Sequence, residues 1–141
     1  MQWIGRLDTE IELIYIEDGG EAMAMVALDT NSDGQTFNIP GYQVTTAQKY
    51  LEEIKNRAHS NSNIATMDSD WLFKIGGLFM PVAGEVLEML YLKREKLLLD
   101  GSKFEQHFGR LPKTSYTSGI DQTLAWVKSY YKMKKLKESG N

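Results

Sequence analysis

The sequence predicts one mixed α/β domain, α+β-like, with three to four short strands and four to five helices over residues 1–141. Short apolar runs bounded by turn residues predict the strands. Longer segments with apolar residues at helical spacing begin at capping residues and end at glycine or proline, which predicts the helices. A hydrophobic content of 42% and a charged content of 25% are typical of a globular chain.

The first strand is predicted at residues 11–16, where apolar side chains fall on both faces. A strand of this kind is usually covered on both sides. Asp18 and Glu21 form a capping-box-like pair for a helix that runs to Leu28. Residues 22–28 are apolar around the whole helix, so we expect burial on most sides. Since 141 residues leave little material to cover these surfaces, we expect a homodimer or higher oligomer.

A polar turn at residues 29–34 copies the start of a calcium-binding loop. The twelfth position of such a loop needs a bidentate Glu, and Pro40 stands there, so the sequence favours a plain turn over calcium. Residues 35–39 then predict a strand that Pro40 and Gly41 close. No metal site is predicted elsewhere, because His59 and His107 lack further ligands at metal spacing.

An amphipathic helix is predicted at residues 45–58, with Thr45 and Gln48 as a capping box. Glu53 and Arg57 add an ion pair at i, i+4. A short strand follows at residues 64–67.

The region from Trp71 to Tyr91 is rich in apolar residues, and Pro81 divides it into two predicted helices. Charged residues and glycines interrupt it, so no apolar run approaches the ~18–20 residues that span a membrane. We expect a buried helix pair, or one helix that lines a ligand cleft. A membrane-peripheral role of this region, together with the basic residues 132–137, is an alternative.

The C-terminal part begins with a short predicted strand at residues 97–99. Ser102 is then expected to cap a helix that places Phe104, His107 and Phe108 on one side, with Gly109 as its left-handed stop. Thr114, Ser115 and Ser118 are cap candidates for a last helix. Its predicted buried stripe consists of Ile120, Leu124, Val127 and Tyr131.

Three segments form a recognisable pattern when they are taken in order. The first is Ile14-Tyr15-Ile16-Glu17-Asp18, and the second is residues 34–41, GQTFNIPG. The third consists of Asp100, Ser102, Lys103, Gly109, Pro112, Thr114, Gly119, Ile120, Thr123 and Trp126. Over roughly residues 10 to 128 the set resembles the C-terminal end of the extended short-chain dehydrogenase/reductases, the NAD-dependent epimerase/dehydratase family.

This resemblance implies the C-terminal, substrate-binding portion of a Rossmann-type epimerase that lacks its nucleotide-binding half. The family binds NAD or NADP at a glycine-rich turn, and this sequence contains no such turn. The family's Tyr-x-x-x-Lys pair occurs here only in spacing, at Tyr130/Lys134 and Tyr131/Lys135, within a Lys-rich terminal helix. The resemblance therefore implies no catalytic or cofactor-binding residue in this chain, and NAD or NADP for the parent enzyme.

Four residues are candidate contacts to a small-molecule substrate: Trp3, Arg6, Arg94 and Lys96. Trp3 and Arg6 precede the first predicted strand, where family members often touch substrate. A sugar-like compound is a candidate substrate. The family's two diphosphate-binding arginines would align with Ile11 and Leu90, so a UDP- or dTDP-sugar is not implied.

Charge and composition exclude several classes of partner and chemistry. A net charge of −3 and a pI near 5.4 argue against nucleic-acid binding. The absence of cysteine excludes disulfides and thiolate chemistry, and the N-terminus lacks the features of a signal peptide, so a cytoplasmic location is expected. A stand-alone ligand-binding or dimerisation module derived from the family remains the alternative function.

Overall fold

The computed structural model describes residues 1–67 and 96–139. Its elements are, in order, β1 (Gln2–Ile4), β2 (Glu10–Ile11), α1 (Ile16–Leu28), a 3-10 turn (Thr30–Ser32), β3 (Thr45–Thr46), α2 (Ala47–Arg57), β4 (Ala65–Met67), α3 (Ser102–Phe108) and α4 (Tyr116–Ser139). The predicted mixed α/β class is confirmed, with four helices and a few short strands in the part described. The two predicted helices between Trp71 and Tyr91 and the candidate Arg94 lie outside the described residues.

The strands form two separate pairs. β1 and β4 are parallel, with Trp3 opposite Thr66, and the hydroxyl of Thr66 also donates to the carbonyl of Gly5. β2 and β3 are antiparallel, with Glu10 opposite Thr46. The strand predicted at residues 64–67 is therefore confirmed at Ala65–Met67, and its partner is an N-terminal strand that the sequence patterns did not indicate.

The strand predicted at residues 11–16 is wrong beyond Ile11. The backbone of Leu13 is bonded to groups outside any strand: its N–H donates to the Tyr116 hydroxyl at 3.1 Å, and its carbonyl accepts from the Tyr42 N–H at 3.2 Å. α1 then begins at Ile16. These bonds leave the segment no free backbone groups at Leu13 for a neighbouring strand.

The strands predicted at residues 35–39 and 97–99 are also wrong, because neither segment is a strand in the structure. Their backbone groups bind side chains from elsewhere. Lys103 Nζ donates to the carbonyl of Thr36 at 2.9 Å, and Glu12 Oε1 accepts from the Leu99 N–H at 3.3 Å. Strand propensity alone does not produce a strand where no partner strand is available.

The prediction that Asp18 caps α1 is wrong. Asp18 lies inside the first turn of α1, with only 8% of its surface exposed. Its carboxylate accepts hydrogen bonds from the N–H and the hydroxyl of Thr114, at 2.6 and 2.7 Å. The N-cap position is Tyr15, which provides no side-chain cap. Asp18 thus ties α1 to the loop that precedes α4.

The buried apolar residues of the described part come from all four of its helices: Ala22 in α1, Ala47 and Leu51 in α2, Phe104 in α3 and Ile120 in α4. α3 forms as predicted, although Gly101 is its N-cap position and Ser102 its first residue. Gly109 ends α3 with φ at 75°, as expected for a left-handed stop. The ring of Phe37 contacts Phe104 and Phe108, which places the loop that contains Phe37 against α3.

α2 contacts α4 through polar side chains, and Leu51 of α2 and Ile120 of α4 are both buried. Thr46, not Thr45, is the N-cap of α2, and its hydroxyl accepts from the Lys49 N–H. The predicted Glu53–Arg57 pair is replaced by contacts to α4. Arg57 Nε donates to Asp121 at 2.5 Å, and Thr117 donates to Glu53 at 2.6 Å.

The predicted apolar stripe of α4 is buried only near its start. Ile120 is buried, Leu124 and Val127 are half-buried, and Tyr131 is exposed. Across the described ranges, no helix is both long enough and apolar enough to cross a membrane.

Candidate substrate-binding site

The structure brings two of the four predicted substrate contacts, Arg6 and Lys96, into one small pocket. Gly5 has φ at 102° and turns the chain away from β1 just before Arg6. The pocket has a volume of about 200 Å³ and is lined by Arg6, Asp8, Thr9, Glu10 and Lys96. Trp3 lies one strand away in β1 and does not line this pocket.

Both cations of this pocket are paired with carboxylates. The Arg6 guanidinium donates to both oxygens of Asp8, at 2.9 and 2.7 Å, and this contact lowers the pKa of Asp8. Lys96 forms an ion pair with Glu10. All four side chains are largely exposed, so water and salt screen their charges.

This arrangement offers donors and acceptors side by side and no net charge from its four ionised groups. It suits a small polar molecule whose hydroxyls both donate and accept hydrogen bonds. No group of three or more His, Asp or Glu residues within residues 1–67 and 96–139 is arranged to hold a metal ion.

The Tyr-x-x-x-Lys residues of α4 do not line this pocket. The ring of Tyr130 stacks on Trp126 with centroids 5.5 Å apart, and the edge of Tyr131 meets Tyr130. All three rings are exposed on the outer part of α4.

Sequence patterns missed a contact between Asp29 and His107, which are 78 residues apart. His107 Nε2 lies 2.6 Å from Asp29 Oδ2, and this contact together with the Ser32 hydroxyl lowers the pKa of Asp29 from 3.8 to about 2. The same nitrogen lies 3.5 Å from the Ser32 hydroxyl. In a Ser-His-Asp triad, one ring nitrogen of the histidine binds the carboxylate and the other binds the serine hydroxyl. Here both contacts use Nε2 of His107, so this cluster does not form such a triad.

In the polar turn at residues 29–34, Asp29 is engaged by its own turn and by α3. Its carboxylate accepts from the Asn31 N–H at 3.3 Å and from the Ser32 hydroxyl at 2.8 Å. Residues 29–34 are thus the polar turn that the sequence favoured, with Gly34 at φ 70°.

A second, apolar opening lies beside α1. Its volume is about 340 Å³, and it is lined by Ala22, Met23, Val26, Ala27, Gln35, Phe37 and Ile39. Met23 and Leu28 are 74% and 87% exposed, so the expected burial of α1 on most sides is wrong. We call this surface, formed by α1 and residues 35–39, the apolar groove. Exposed apolar surface of this kind marks interaction sites in many proteins.

No family model matches the chain, and no curated protein matches its sequence. Among solved structures, the chain is similar to the crystal structure of dTDP-glucose 4,6-dehydratase from Bacillus anthracis in complex with NAD, with a TM-score of 0.65 and 16% sequence identity. The similarity covers 91% of this chain and 34% of the dehydratase, so the chain spans about a third of the length of that protein. The likeness is one of fold.

Proposed function

We propose that this chain is the substrate-binding portion of an NAD(P)-dependent epimerase/dehydratase-like oxidoreductase and is inactive without the nucleotide-binding half. The observation that carries the proposal is the fold similarity, which covers nearly all of this chain but only 34% of an NAD-bound dehydratase. The three motif segments named above support the same family.

The apolar groove supports the proposal that a further protein layer belongs beside α1. Residues 35–39 resemble a strand segment of the family, yet they are not a strand here, and Phe37 and Ile39 line the groove together with Met23. We propose that the nucleotide-binding half covers this surface in the parent protein. NAD or NADP would then be bound by that half and not by this chain.

The pocket formed by Arg6, Asp8, Thr9, Glu10 and Lys96 is the proposed substrate contact. Its alternating carboxylates and cations suit the hydroxyls of a sugar-like molecule. Trp3, in the neighbouring strand, and Arg94, two positions before Lys96 in the sequence, remain proposed contacts on the basis of the motif resemblance alone.

Isothermal titration calorimetry of the 141-residue chain tests this division of roles. The ligands are dTDP-glucose, UDP-glucose, free glucose, NAD and NADP. We expect one sugar ligand to bind and neither dinucleotide to bind. Heat from NAD or NADP at a defined stoichiometry, or stoichiometric turnover of NAD(P)H by this chain, would contradict the proposal.

A variant carrying both Arg6→Ala and Lys96→Ala tests whether the sugar binds in this pocket. Lys113→Ala is the matched control, because Lys113 is exposed and does not line the pocket. The sugar signal should be lost in the double variant and retained in Lys113→Ala. Equal loss in both variants would place binding elsewhere.

The alternative, a stand-alone ligand-binding or dimerisation module, is favoured by the closed core on Phe104 and Ile120, which forms from this chain alone. The coding sequence upstream of Met1 separates the two proposals. A frame that encodes a glycine-rich turn and a Tyr-x-x-x-Lys helix supports the substrate-binding portion of a larger enzyme. A ribosome-binding site directly before Met1, with no such frame, supports the module.

A further inference from the structure

The outer part of α4 carries a second apolar stripe that the core does not use. Its members are Trp126, Tyr130 and Met133, with 63%, 47% and 57% of their surface exposed. Thr123 precedes them, so the four residues follow the alternating three- and four-residue spacing of a coiled-coil seam. We call these four residues the α4 seam.

The α4 seam lies on a different side of the helix from the stripe that faces the core. Ile120 is buried and Val127 is half-buried, and both contribute to the inner side. At 3.6 residues per turn, Trp126 and Tyr130 fall on another face. Their rings stack on each other along the helix, which makes one continuous aromatic surface.

A groove of about 700 Å³ continues this surface towards α1. It is lined by Tyr15, Ile16, Glu17, Gln122, Thr123, Ala125 and Trp126. Several of its polar groups are already engaged within the chain. The Thr123 hydroxyl donates to the Gly119 carbonyl at 2.7 Å, and Gln122 Nε2 donates to the Ser118 hydroxyl at 3.1 Å. The groove therefore offers mainly its apolar surface, including the exposed Ile16, to an occupant.

Charge is distributed unevenly along α4. In residues 116–127 the one charged residue is Asp121, and Glu17 of α1 lines the adjacent groove. Residues 128–139 contain five lysines and a single acid, Glu138. Two copies of α4 side by side in parallel would place lysines against lysines. An antiparallel pair would place the basic half of each helix beside the half of the other helix that contains no lysine, where Glu17 lines the groove.

We propose that a second copy of this chain binds the α4 seam, with the two helices antiparallel about a two-fold axis. The stripe is self-complementary in this arrangement. Trp126 faces the partner's Tyr130, and Thr123 faces the partner's Met133, so the two aromatic rings pair at the centre of the interface and Met133 packs beside the small Thr123 side chain at each end. The partner's Met133 then extends into the 700 Å³ groove beside Ile16. This interface uses neither the apolar groove nor the substrate pocket, and it does not rest on the proposed function.

Sedimentation velocity over a dilution series tests the association. The wild-type chain should sediment as a dimer at the highest concentrations and dissociate on dilution. Tyr130→Glu places a charge in the seam and should raise the dissociation constant by about tenfold or more. Met23→Glu is the matched control, because Met23 is also an exposed apolar residue, with 74% of its surface exposed, but lies on α1. A monomeric wild type, or a dimer that Met23→Glu disrupts and Tyr130→Glu does not, overturns the proposal.

Disulfide trapping tests the orientation, and the chain suits this test because it contains no cysteine. Thr123→Cys and Met133→Cys variants are purified with tags of different size and oxidised separately and together. The antiparallel pair predicts a crosslink chiefly in the mixture, between position 123 of one copy and position 133 of the other. Efficient crosslinking of each variant with itself would show parallel helices and overturn the proposal.

Discussion

The cluster around Phe104 and the pocket around Arg6 are held together in opposite ways. Phe104 is fully buried and contacts Phe37 and Phe108, whose ring centroids lie 5.9 and 4.5 Å away. Arg6 and Lys96 lie at the surface, and each is paired with a carboxylate. Burial of apolar rings contributes several kcal/mol to folding, whereas exposed ion pairs contribute ~0–1 kcal/mol.

This difference separates the residues that hold the fold from those available for binding. The side chains of Phe37, Phe104 and Phe108 are themselves apolar and offer a ligand no hydrogen-bonding group. The pocket can exchange its internal ion pairs for bonds to a ligand at little cost to folding. Substitutions in the two regions should therefore have opposite effects on stability and on binding.

The largest effect is expected from Phe104→Ala. Removal of a fully buried ring leaves a cavity, and the free energy of unfolding should fall by about 3–5 kcal/mol. Urea denaturation followed by circular dichroism measures this change. Gln106→Ala, at an exposed position of the same helix, should stay within about 0.5 kcal/mol of the wild type. Similar losses in both variants would show that α3 does not anchor the core through Phe104.

Asp18→Ala should have the next largest effect. The change leaves the Thr114 N–H and hydroxyl without their buried acceptor, which should lower the free energy of unfolding by about 1.5–3 kcal/mol. Asp18→Asn keeps one acceptor oxygen and should lose less. The same denaturation experiment compares the two. An Asp18→Ala variant as stable as the wild type would refute the link between α1 and the loop before α4.

The Asp29–His107 contact shares one property with each region. It is polar, like the pocket, and its side chains are mostly covered, like those of the aromatic cluster. The pKa of Asp29 is lowered from 3.8 to about 2, chiefly by its hydrogen bond to His107. Between these pH values the unfolded chain binds more protons than the folded one. The stability that the contact provides is therefore complete above about pH 4 and is lost as pH falls towards about 2.

Thermal melts of the wild type and Asp29→Asn at several pH values, from about 5 down to about 2, measure this dependence. The wild type should melt at a higher temperature at the upper end, and the difference should shrink as the pH falls. A difference that stays constant over this range would mean that the Asp29 carboxylate does not contribute through its charge.

The smallest change in stability is expected at the pocket. Arg6→Ala and Lys96→Ala should each alter the free energy of unfolding by less than about 0.5 kcal/mol, since exposed pairs contribute little. Each should weaken sugar binding, which the calorimetric titration measures. Large destabilisation without loss of binding would reverse the proposed roles of the two regions.

Sequence patterns predicted the helices well because their signals are local. Gly109 and the residues of α3 lie within one short segment, and the stripe that starts at Ile120 follows helical spacing. Two N-caps were displaced by one residue, from Thr45 to its neighbour Thr46 in α2 and from Ser102 to Gly101 in α3.

The strands were predicted poorly because a strand depends on a partner that is distant in the sequence. β1 pairs with β4 across some sixty residues, and the segment at Leu13 is bonded to Tyr42 and Tyr116. The site was only partly predictable, because its contacts also join residues that are distant in the sequence. Arg6 and Lys96 were both selected from the sequence, but their carboxylate partners and the Asp29–His107 contact depend on the folded arrangement.

The most direct test of the proposed substrate-binding role is a nitrogen-15 chemical-shift titration of the wild-type chain with the sugar ligand and, separately, with NAD. The proposal predicts that the sugar shifts amide signals at residues 6–10 and 96 while those around Phe104 stay unchanged, and that NAD shifts none. Shifts with NAD, or sugar-induced shifts confined to other parts of the chain, would contradict it.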